Sequence, residues 1–402
     1  MGGRPVFSLE HTFCHGPLNV GSLAQGSEQT GESVCGKRGR SRHVRCPFGT
    51  QRVSVLEVRR SSWETEMNRS SVACCAAVVL LSGCLLLGCS SSAPQPEASV
   101  NESPQTSAAE FSFEPEAGKI HVLINGQPFT NYHFEEKWDK PFLHPVRTLS
   151  GVDISRGWPV EPREGESDDH IWHRGVFMGH DRINGADFWR EQGRDKTATL
   201  VPRSTPTSSV AGGKGTITAD LDLLTTKKES LGAIRQEFTF SVAGDSAVID
   251  AHITVLADRG VALTMGDTEE GWVGFRFDDA FKQENGATLL NSDGLLGTEN
   301  IWGKRADWVD YSTTLHDEKV GLAIFDHPSN PGYPAYWHAR GYGLCTANPF
   351  GVRNFTGDES KDGTMVVPEG GELEFQYRLV VHPGSAEEAK ITDLYARFKN
   401  GS

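Results

Sequence analysis

Alternating apolar and polar residues dominate the larger, C-terminal part of the chain. In residues 372–380 (ELEFQYRLV) the alternation has a period of two, which is typical of a strand with one buried face. The same alternation runs through residues 234–242 and 247–255, and Gly244-Asp245 between them predicts a hairpin turn. Similar runs predict further strands at residues 119–124, 216–223, 272–277, 320–325 and 365–367.

One helix is predicted, at the C-terminus. Ser385 and Glu388 have the spacing of a capping box. The apolar stripe that follows has helical spacing and consists of Ile391, Leu394, Tyr395 and Phe398. No internal repeat and no change of composition divides residues 111–402. The pattern therefore predicts one all-β domain, a large antiparallel β-sandwich with a single C-terminal helix.

Residues 67–88 have the layout of a bacterial export signal. Arg69 is followed by an apolar run of 16 residues, 72–87, which is short of the roughly 20 that a spanning helix needs. Leu-Leu-Gly-Cys at Cys89 resembles a lipobox, with Cys84 as the alternative, and a single spanning anchor is the competing interpretation. We expect lipid attachment at Cys89 and a Ser/Pro-rich linker over residues 89–110. The expected location is the cell envelope, facing the periplasm or in the outer membrane.

Residues 1–66 have no periodicity and predict no structural element. Cys14, Cys35 and Cys46 lack the paired spacing of a metal-binding or nucleic-acid-binding module. We interpret this stretch as spurious upstream translation or as a disordered segment.

The charge of the chain excludes some partners. Residues 1–69 carry ten Lys and Arg and six Asp and Glu, which gives them a net charge of +4. Because the whole chain has a net charge of −14, the remaining residues carry −18. An acidic domain argues against nucleic acid and against anionic membrane surfaces, so the lipid anchor is the only membrane contact expected. Cys345 is the only cysteine after the linker, so the domain has no disulfide framework and must be stabilised by its core.

Residues 327–351 (HPSNPGYPAYWHARGYGLCTANPFG) combine His, Arg, Asn and Trp with four prolines. Such a segment predicts a rigid loop that binds a small polar molecule. His338 and Arg340 would share one face of an extended chain. Asn348 could hold a hydroxyl group, and Trp337 could stack on a sugar. A purely structural Pro-rich loop is the alternative.

Residues 168–175 (DDHIWHRG) bring together two His, two carboxylates and an arginine, Arg174. His170 and His173 could form an acid/base pair or supply metal ligands. On a strand, however, positions i and i+3 face opposite ways, so only one His need face a ligand. Bonding of these side chains to backbone and carboxylates is the structural alternative.

Residues 180–189 (HDRINGADFW) are predicted to turn at Asn184-Gly185. Asp187 and Trp189 would then fall on one face of the extended chain and could contact a ligand. Turn chemistry alone would also explain most of these side chains.

Two further pairs are candidates for the same cleft. Glu269 and Glu270 could place a catalytic base at the end of a strand, although adjacent Glu residues are more often found on surface loops. His144 and Arg147 lie in KPFLHPVR and could line the cleft from another side.

Five segments together resemble a bacterial family of unknown function whose members are often labelled "methane oxygenase PmoA". These segments are KPFLHPVRTLSG (140–151), ESDDHIWHRGVFMGHDRINGADFW (166–189), DTEEGWVGFR (267–276), WGKRADWVDYS (302–312) and residues 327–351. Trp172 stands where that family usually has His, so a three-His metal cluster does not carry over. A methane monooxygenase subunit is built from spanning helices, and no spanning segment follows Cys89, so we do not expect that activity.

The resemblance implies a galactose-mutarotase-like supersandwich, which binds carbohydrates in a cleft on one sheet. In such enzymes two His and a Glu act on the ring oxygen and the anomeric hydroxyl. The matching residues here would be His170 or His173, His338, and Glu269 or Glu270.

We therefore expect a carbohydrate-active protein with a saccharide ligand, no cofactor and no bound metal. If it is an enzyme, His170 or His173 and His338 would act as general acid and base in epimerisation, β-elimination or glycoside cleavage. The positioning of oxygen atoms would fall to Arg147, Arg174 and Arg340. The alternatives are a non-catalytic glycan-binding lipoprotein and a metal-dependent enzyme using His170, His173 and His338. The sequence does not indicate a protein partner.

Overall fold

The computed structural model describes residues 109–401. The predictions of an upstream segment at 1–66, an export signal at 67–88 and lipid attachment at Cys89 or Cys84 lie outside the described residues. They stay predictions. Among the described residues, none of the helices has the length and apolar character needed to cross a membrane.

Strands make up most of the regular structure of residues 109–401. They are β1 (Phe111–Glu116), β2 (Lys119–Ile124), β3 (Gln127–His133), β4 (Phe142–Val146), β5 (Gly175–His180), β6 (Thr199–Pro202), β7 (Thr207–Ala211), β8 (Lys214–Leu224), β9 (Ser230–Ala243), β10 (Ser246–Leu256), β11 (Leu263–Met265), β12 (Gly271–Arg276), β13 (Thr288–Asn291), β14 (Trp308–Leu315), β15 (Glu318–Asp326), β16 (Tyr336–Arg340), β17 (Leu344–Asn348), β18 (Met365–Val367) and β19 (Glu372–Pro383). The helices are α1 (Thr298–Ile301), α2 (Val352–Thr356) and α3 (Ile391–Phe398).

Two large antiparallel sheets form the sandwich. The first sheet has eight strands in the order β1-β2-β3-β4-β5-β12-β17-β16. The second has nine, in the order β13-β14-β15-β19-β10-β9-β8-β6 with β7 paired to β8, and β11 pairs with β18 separately. The predicted all-β antiparallel sandwich is confirmed.

The main core lies between the two sheets. Val176 and Met178 of β5 and Phe275 of β12 point into it from the first sheet, and Ile249 and Ile253 of β10 from the second. The outer face of the first sheet, turned away from the second, is also covered. A separate apolar cluster there consists of Phe142, Phe177, Trp189 and Leu344. Antiparallel sheets commonly leave one face in contact with water, whereas this sheet is partly covered on its outer face as well. The candidate site lies on this outer face.

The predicted C-terminal helix is confirmed, but it starts later than its capping box implied, and two short helices accompany it in the described part of the chain. Ser385 and Glu388 do form a capping box, because the Glu388 N–H donates to Ser385 Oγ (3.2 Å) and the Ser385 N–H donates to Glu388 Oε2 (2.8 Å). These bonds close a turn, and α3 begins only at Ile391. The short helices α1 and α2 have too few residues to show a periodic pattern.

The prediction of a continuous loop over residues 327–351 is wrong for its second half. Residues 336–348 form the antiparallel hairpin β16–β17. Trp337 and Ala339 point into the core and are fully buried, as are Cys345 and Ala347 on the partner strand. This alternation was hidden by the polar side chains that occupy the opposite face.

Gly175 allows the loop before β5 to pass close to β4. Its φ is +47°, and a Cβ there would lie 2.0 Å from the Leu143 carbonyl oxygen. We expect Gly175→Ala to lower the free energy of unfolding by about 3 kcal/mol, combining left-handed strain with overpacking. Gly126 has φ +73° but open space, so Gly126→Ala should cost only about 1 kcal/mol. Urea unfolding of both variants measures the difference, and equal losses would contradict the close approach.

Candidate functional site

The candidate site is built on the outer face of four neighbouring strands, β5, β12, β17 and β16. One cross-strand row contains Phe177, Gly274, Thr346 and His338. The next row contains Gly175, Arg276, Leu344 and Arg340. His338 and Arg340 therefore share one face of β16, as the alternation predicted.

His338 is held in one tautomer by the backbone. Its Nδ1 lies 2.9 Å from the Glu269 carbonyl oxygen, which can only accept, so Nδ1 carries the proton and Nε2 is bare. The ring is nearly buried and edge-on to Trp302, with 6.5 Å between ring centroids. Burial lowers the pKa of His338 to about 4, and the nearby charges of Arg340 and His170 act in the same direction. At neutral pH His338 therefore presents a neutral, proton-accepting nitrogen.

His170 stands opposite, on the loop that precedes β5, and 40% of its side chain is exposed. Its Nδ1 lies 3.0 Å from Asp169 Oδ2. Asp169 is bound in turn by Arg156 and by Arg276, whose Nη2 lies 2.7 Å from Oδ1. Burial raises the pKa of Asp169, but Arg276, His170 and Arg156 outweigh it and hold the pKa below its ordinary value. The ionised carboxylate thus orients the His170 ring.

His173 lies behind His170 and does not reach solvent. The two rings stack with centroids 5.1 Å apart, and His173 also stacks on Phe177 at 5.1 Å. His173 is 2% exposed, and neither ring nitrogen has a hydrogen-bond partner in the described part of the chain. Burial, followed by the charge of Arg276, lowers its pKa well below the usual range. This environment suits an aromatic support and does not favour a general acid or base.

The stacking of His170 and His173 also revises the strand argument. The His173 N–H donates to the His170 carbonyl oxygen (3.0 Å), so the chain turns there and both rings face the same way. Positions i and i+3 face opposite ways only in an extended strand, and His170 has φ +43°.

Tyr342, in the turn between β16 and β17, lies in the middle of the site. His170 stacks on its ring at 5.8 Å, and the Arg276 guanidinium lies 4.7 Å from the ring centroid. Burial raises the pKa of Tyr342. The positive charges of Arg276 and Arg340 lower this pKa, and the negative charges of Asp169 and Glu270 raise it. Of these four groups, the guanidinium groups of Arg276 and Arg340 lie within 6 Å of the Tyr342 ring centroid, at 4.7 and 5.8 Å.

Glu270 is the second candidate proton-transfer group. Its Oε1 lies 2.9 Å from Arg190 Nη2. Burial raises the pKa of Glu270 to about 7. The positive charge of Arg190 lowers this pKa, but the negative charges of Asp181 and Glu269 raise it further. Glu269 contributes through its backbone, which fixes His338. Of the two adjacent carboxylates, Glu270 has the properties of an acid at neutral pH.

Three residues predicted to bind substrate are enclosed by protein. Trp337 points into the core between the sheets, and its Nε1 donates to the Ala306 carbonyl oxygen (2.9 Å). Asn348 donates through Nδ2 to the Thr268 carbonyl oxygen (2.9 Å), and its Oδ1 accepts from the Phe350 N–H (2.8 Å). His144 is fully buried, and burial lowers its pKa to about 3. All three side chains are fully buried, and their contact with a ligand stays a prediction.

Three other predicted residues have structural surroundings. Trp189 is buried in the outer apolar cluster, and Arg174 is buried against Glu191. Asp187 accepts from the backbone N–H groups of Trp189 (2.8 Å) and Arg190 (3.0 Å), which is turn chemistry.

Arg147 lies apart from the residues around Tyr342. It lines a different pocket, of about 290 Å³, together with Ile124, Phe129 and Leu149. The loop that follows β4 carries it to this position.

Sequence reasoning missed several residues of the site, namely Arg156, Arg190, Arg276, Trp302 and Tyr342. Tyr342 lies two residues after Arg340, and the alternation that identified His338 and Arg340 could have included it. Arg276 lies within a predicted strand (272–277), but its contact with Asp169 spans 107 positions and leaves no local signal.

The described residues offer little support for a metal centre. In residues 109–401, no group of three or more His, Cys, Asp or Glu side chains is placed to hold a metal ion. His170 and His173 instead stack face to face, and His338 directs Nδ1 at a backbone oxygen.

The fold and this site define a β-sandwich protein with a polar, aromatic-lined site on the outer face of one sheet. The chain belongs to a family of unknown function, DUF6807, whose model matches residues 119–396. No curated protein matches the chain.

Several solved structures are similar to the chain. A galactose mutarotase-like protein from Clostridium acetobutylicum shares 9% identity over 69% of this chain and 99% of its own, with a TM-score of 0.33. A galactose mutarotase related enzyme from Lactobacillus acidophilus shares 8% identity over 69% of this chain and 98% of its own, at 0.30. A GH36 α-galactosidase from Geobacillus stearothermophilus, in complex with stachyose, shares 10% identity over 70% of this chain and 42% of its own, at 0.32. At these scores the similarity carries no argument about what this chain binds.

Proposed function

We propose that this protein acts on a saccharide at the outer face of the first sheet, by acid/base chemistry. The observation that carries the proposal is a pair of proton-transfer groups joined through the backbone: His338 has a bare Nε2 and bonds the Glu269 carbonyl, and the next residue, Glu270, has a pKa of about 7. Tyr342 and Trp302 offer ring faces that suit the C–H faces of a sugar. Hydrogen-bond donors at the rim would bind hydroxyl groups.

In this mechanism His338 accepts a proton from the substrate and Glu270 donates one. The Glu269 carbonyl holds the imidazole in the required tautomer and stabilises its protonated form. His170, oriented by Asp169, would bind a hydroxyl or relay a proton at the exposed side. The same two groups serve ring opening, epimerisation or β-elimination, since each reaction removes one proton and adds another.

An acid and a base with these pKa values predict a bell-shaped pH profile. His338 is neutral above about pH 4, and Glu270 is protonated below about pH 7, so both are in their active forms between these values. We expect kcat/KM to rise through about pH 4 and to fall through about pH 7. Glu270→Gln should lower the rate and remove the alkaline limb. A wild-type profile without an alkaline limb would exclude Glu270 as the acid.

The test of the proposed function is a turnover screen by NMR. The purified protein is incubated with mono- and disaccharides that include uronic and keto-oxidised sugars, and the spectra are followed with time. Conversion of one sugar would support the enzyme and identify the stereocentre or bond that changes. Saturation transfer without conversion would favour a non-catalytic glycan-binding protein, and neither signal with any sugar would refute the proposal.

A further inference from the structure

Arg340 has a cationic side chain with no oxygen partner in the described part of the chain. Its guanidinium carbon lies 5.9 Å from the Trp302 ring centroid and 5.8 Å from that of Tyr342, and the residue is half-buried. Other arginines on this face bind carboxylates, as Arg276 binds Asp169 and Arg190 binds Glu270. The aromatic rings compensate only part of the lost hydration of Arg340.

The surroundings of Arg340 favour an anion. The Trp302 ring, which lies 5.9 Å from the guanidinium carbon, carries a further donor, because its Nε1 is buried and has no acceptor among the described residues. Two carboxylates of the site, those of Asp169 and Glu270, are held by other arginines. His338 is neutral at working pH and does not compete as a cation. The planar fork of Arg340 is therefore left open for an anionic group of a ligand.

The geometry points to an acidic saccharide as the ligand, with its carboxylate bound by Arg340. This inference rests on the proposed function and narrows its substrate class. A guanidinium binds a carboxylate through two parallel N–H donors, which a hydroxyl group cannot accept equally well. Arg340 is two residues from His338 on the same face of β16, so a carboxylate there would place the sugar ring beside the bare Nε2.

Matched sugar pairs test this directly. The methyl glycosides of galacturonate and galactose, and of glucuronate and glucose, differ in the carboxylate while the anomer is fixed. We expect the full-chain protein to bind at least one uronide about 10- to 100-fold more tightly than its neutral counterpart, as measured by titration calorimetry. The preference should fall with rising salt concentration.

Variants of Arg340 complete the test. Arg340→Gln should remove the preference for the uronide, and Arg340→Lys should keep part of it. Arg235 is exposed on the second sheet and pairs with Asp220, so Arg235→Gln makes the same change of net charge and should leave the preference unaltered. Thermal unfolding of each variant verifies that it is folded.

The outcomes separate this inference from the proposed function. Equal binding of neutral and acidic sugars by the wild type would overturn the acidic-ligand inference and leave saccharide binding in place. A uronide preference that survives in Arg340→Gln would overturn the role of Arg340. Absence of binding by every sugar would overturn both proposals.

Discussion

Replacing His338 with Asn is expected to lower kcat by about 10²- to 10⁴-fold on a sugar that the wild type converts. The Asn amide can still donate to the Glu269 carbonyl, as Nδ1 of His338 does, so the backbone contact is kept. What is lost is the bare Nε2 that would accept the substrate proton. KM should change little, because the lost interaction develops during proton transfer.

A histidine on the other sheet provides the control. His252 lies on β10 with 41% of its side chain exposed and only a weak contact with Glu374, at 3.4 Å. His252→Asn should leave kcat and KM within twofold of the wild type. If His338→Asn retains full turnover, His338 is not the base. A weaker sugar affinity in that variant, with no turnover in any form of the protein, would favour a glycan-binding module.

Replacing Glu191 with Gln is expected to lower the free energy of unfolding by about 3–5 kcal/mol. Glu191 is buried on the outer face of the first sheet between Lys140, whose Nζ lies 3.2 Å from Oε1, and Arg174. The two cations are 2% and 1% exposed, so the variant would leave both without their anion in a dry environment. The Arg174 guanidinium also covers the rings of Trp138 and Phe142, and its displacement would loosen that packing.

The pH dependence of this loss follows from the pKa of Glu191. Burial raises that pKa, but the positive charges of Lys140 and Arg174 outweigh the effect of burial, so the pKa of Glu191 lies below its ordinary value. The stabilisation is therefore present above the pKa of an unfolded Glu and disappears as the pH falls through the lower, folded value. Urea unfolding at neutral and acid pH should show the variant and the wild type converging in acid. Glu374→Gln, at an exposed pair, should cost less than about 0.5 kcal/mol, and an equal loss there would contradict the argument.

The strands could be predicted from sequence because their signal is local. Alternation in residues 234–242 and 372–380 reports one buried face, and both segments are strands of the second sheet. The hairpin β16–β17 was missed because its outward residues are polar, aromatic or rigid, which is also typical of a loop. A strand whose outward face carries such side chains lacks the contrast between apolar and polar positions from which a strand is predicted.

The parts of the candidate site that lie on one face of a strand could be predicted from the sequence. The parts that depend on how a loop runs across the sheet could not. The common face of His338 and Arg340 came from a period of two. Whether Trp337 faces the core or a ligand depends on which side of the sheet the second sheet covers, and the alternation is the same in both cases. The approach of Asp169 to Arg276 depends on how a long loop folds back over the sheet.

Some residues of the site lie on strands and others on a loop, and these two locations differ in how well they tolerate substitutions. His338 and Arg340 sit on strands whose opposite faces form the core, so their positions are tied to the stability of the whole domain. His170 and Asp169 sit on a loop, where substitutions and insertions are better tolerated. If the proposed function holds, relatives with a different loop sequence should differ in the sugar that they prefer, while the strands keep His338 Nε2 in register.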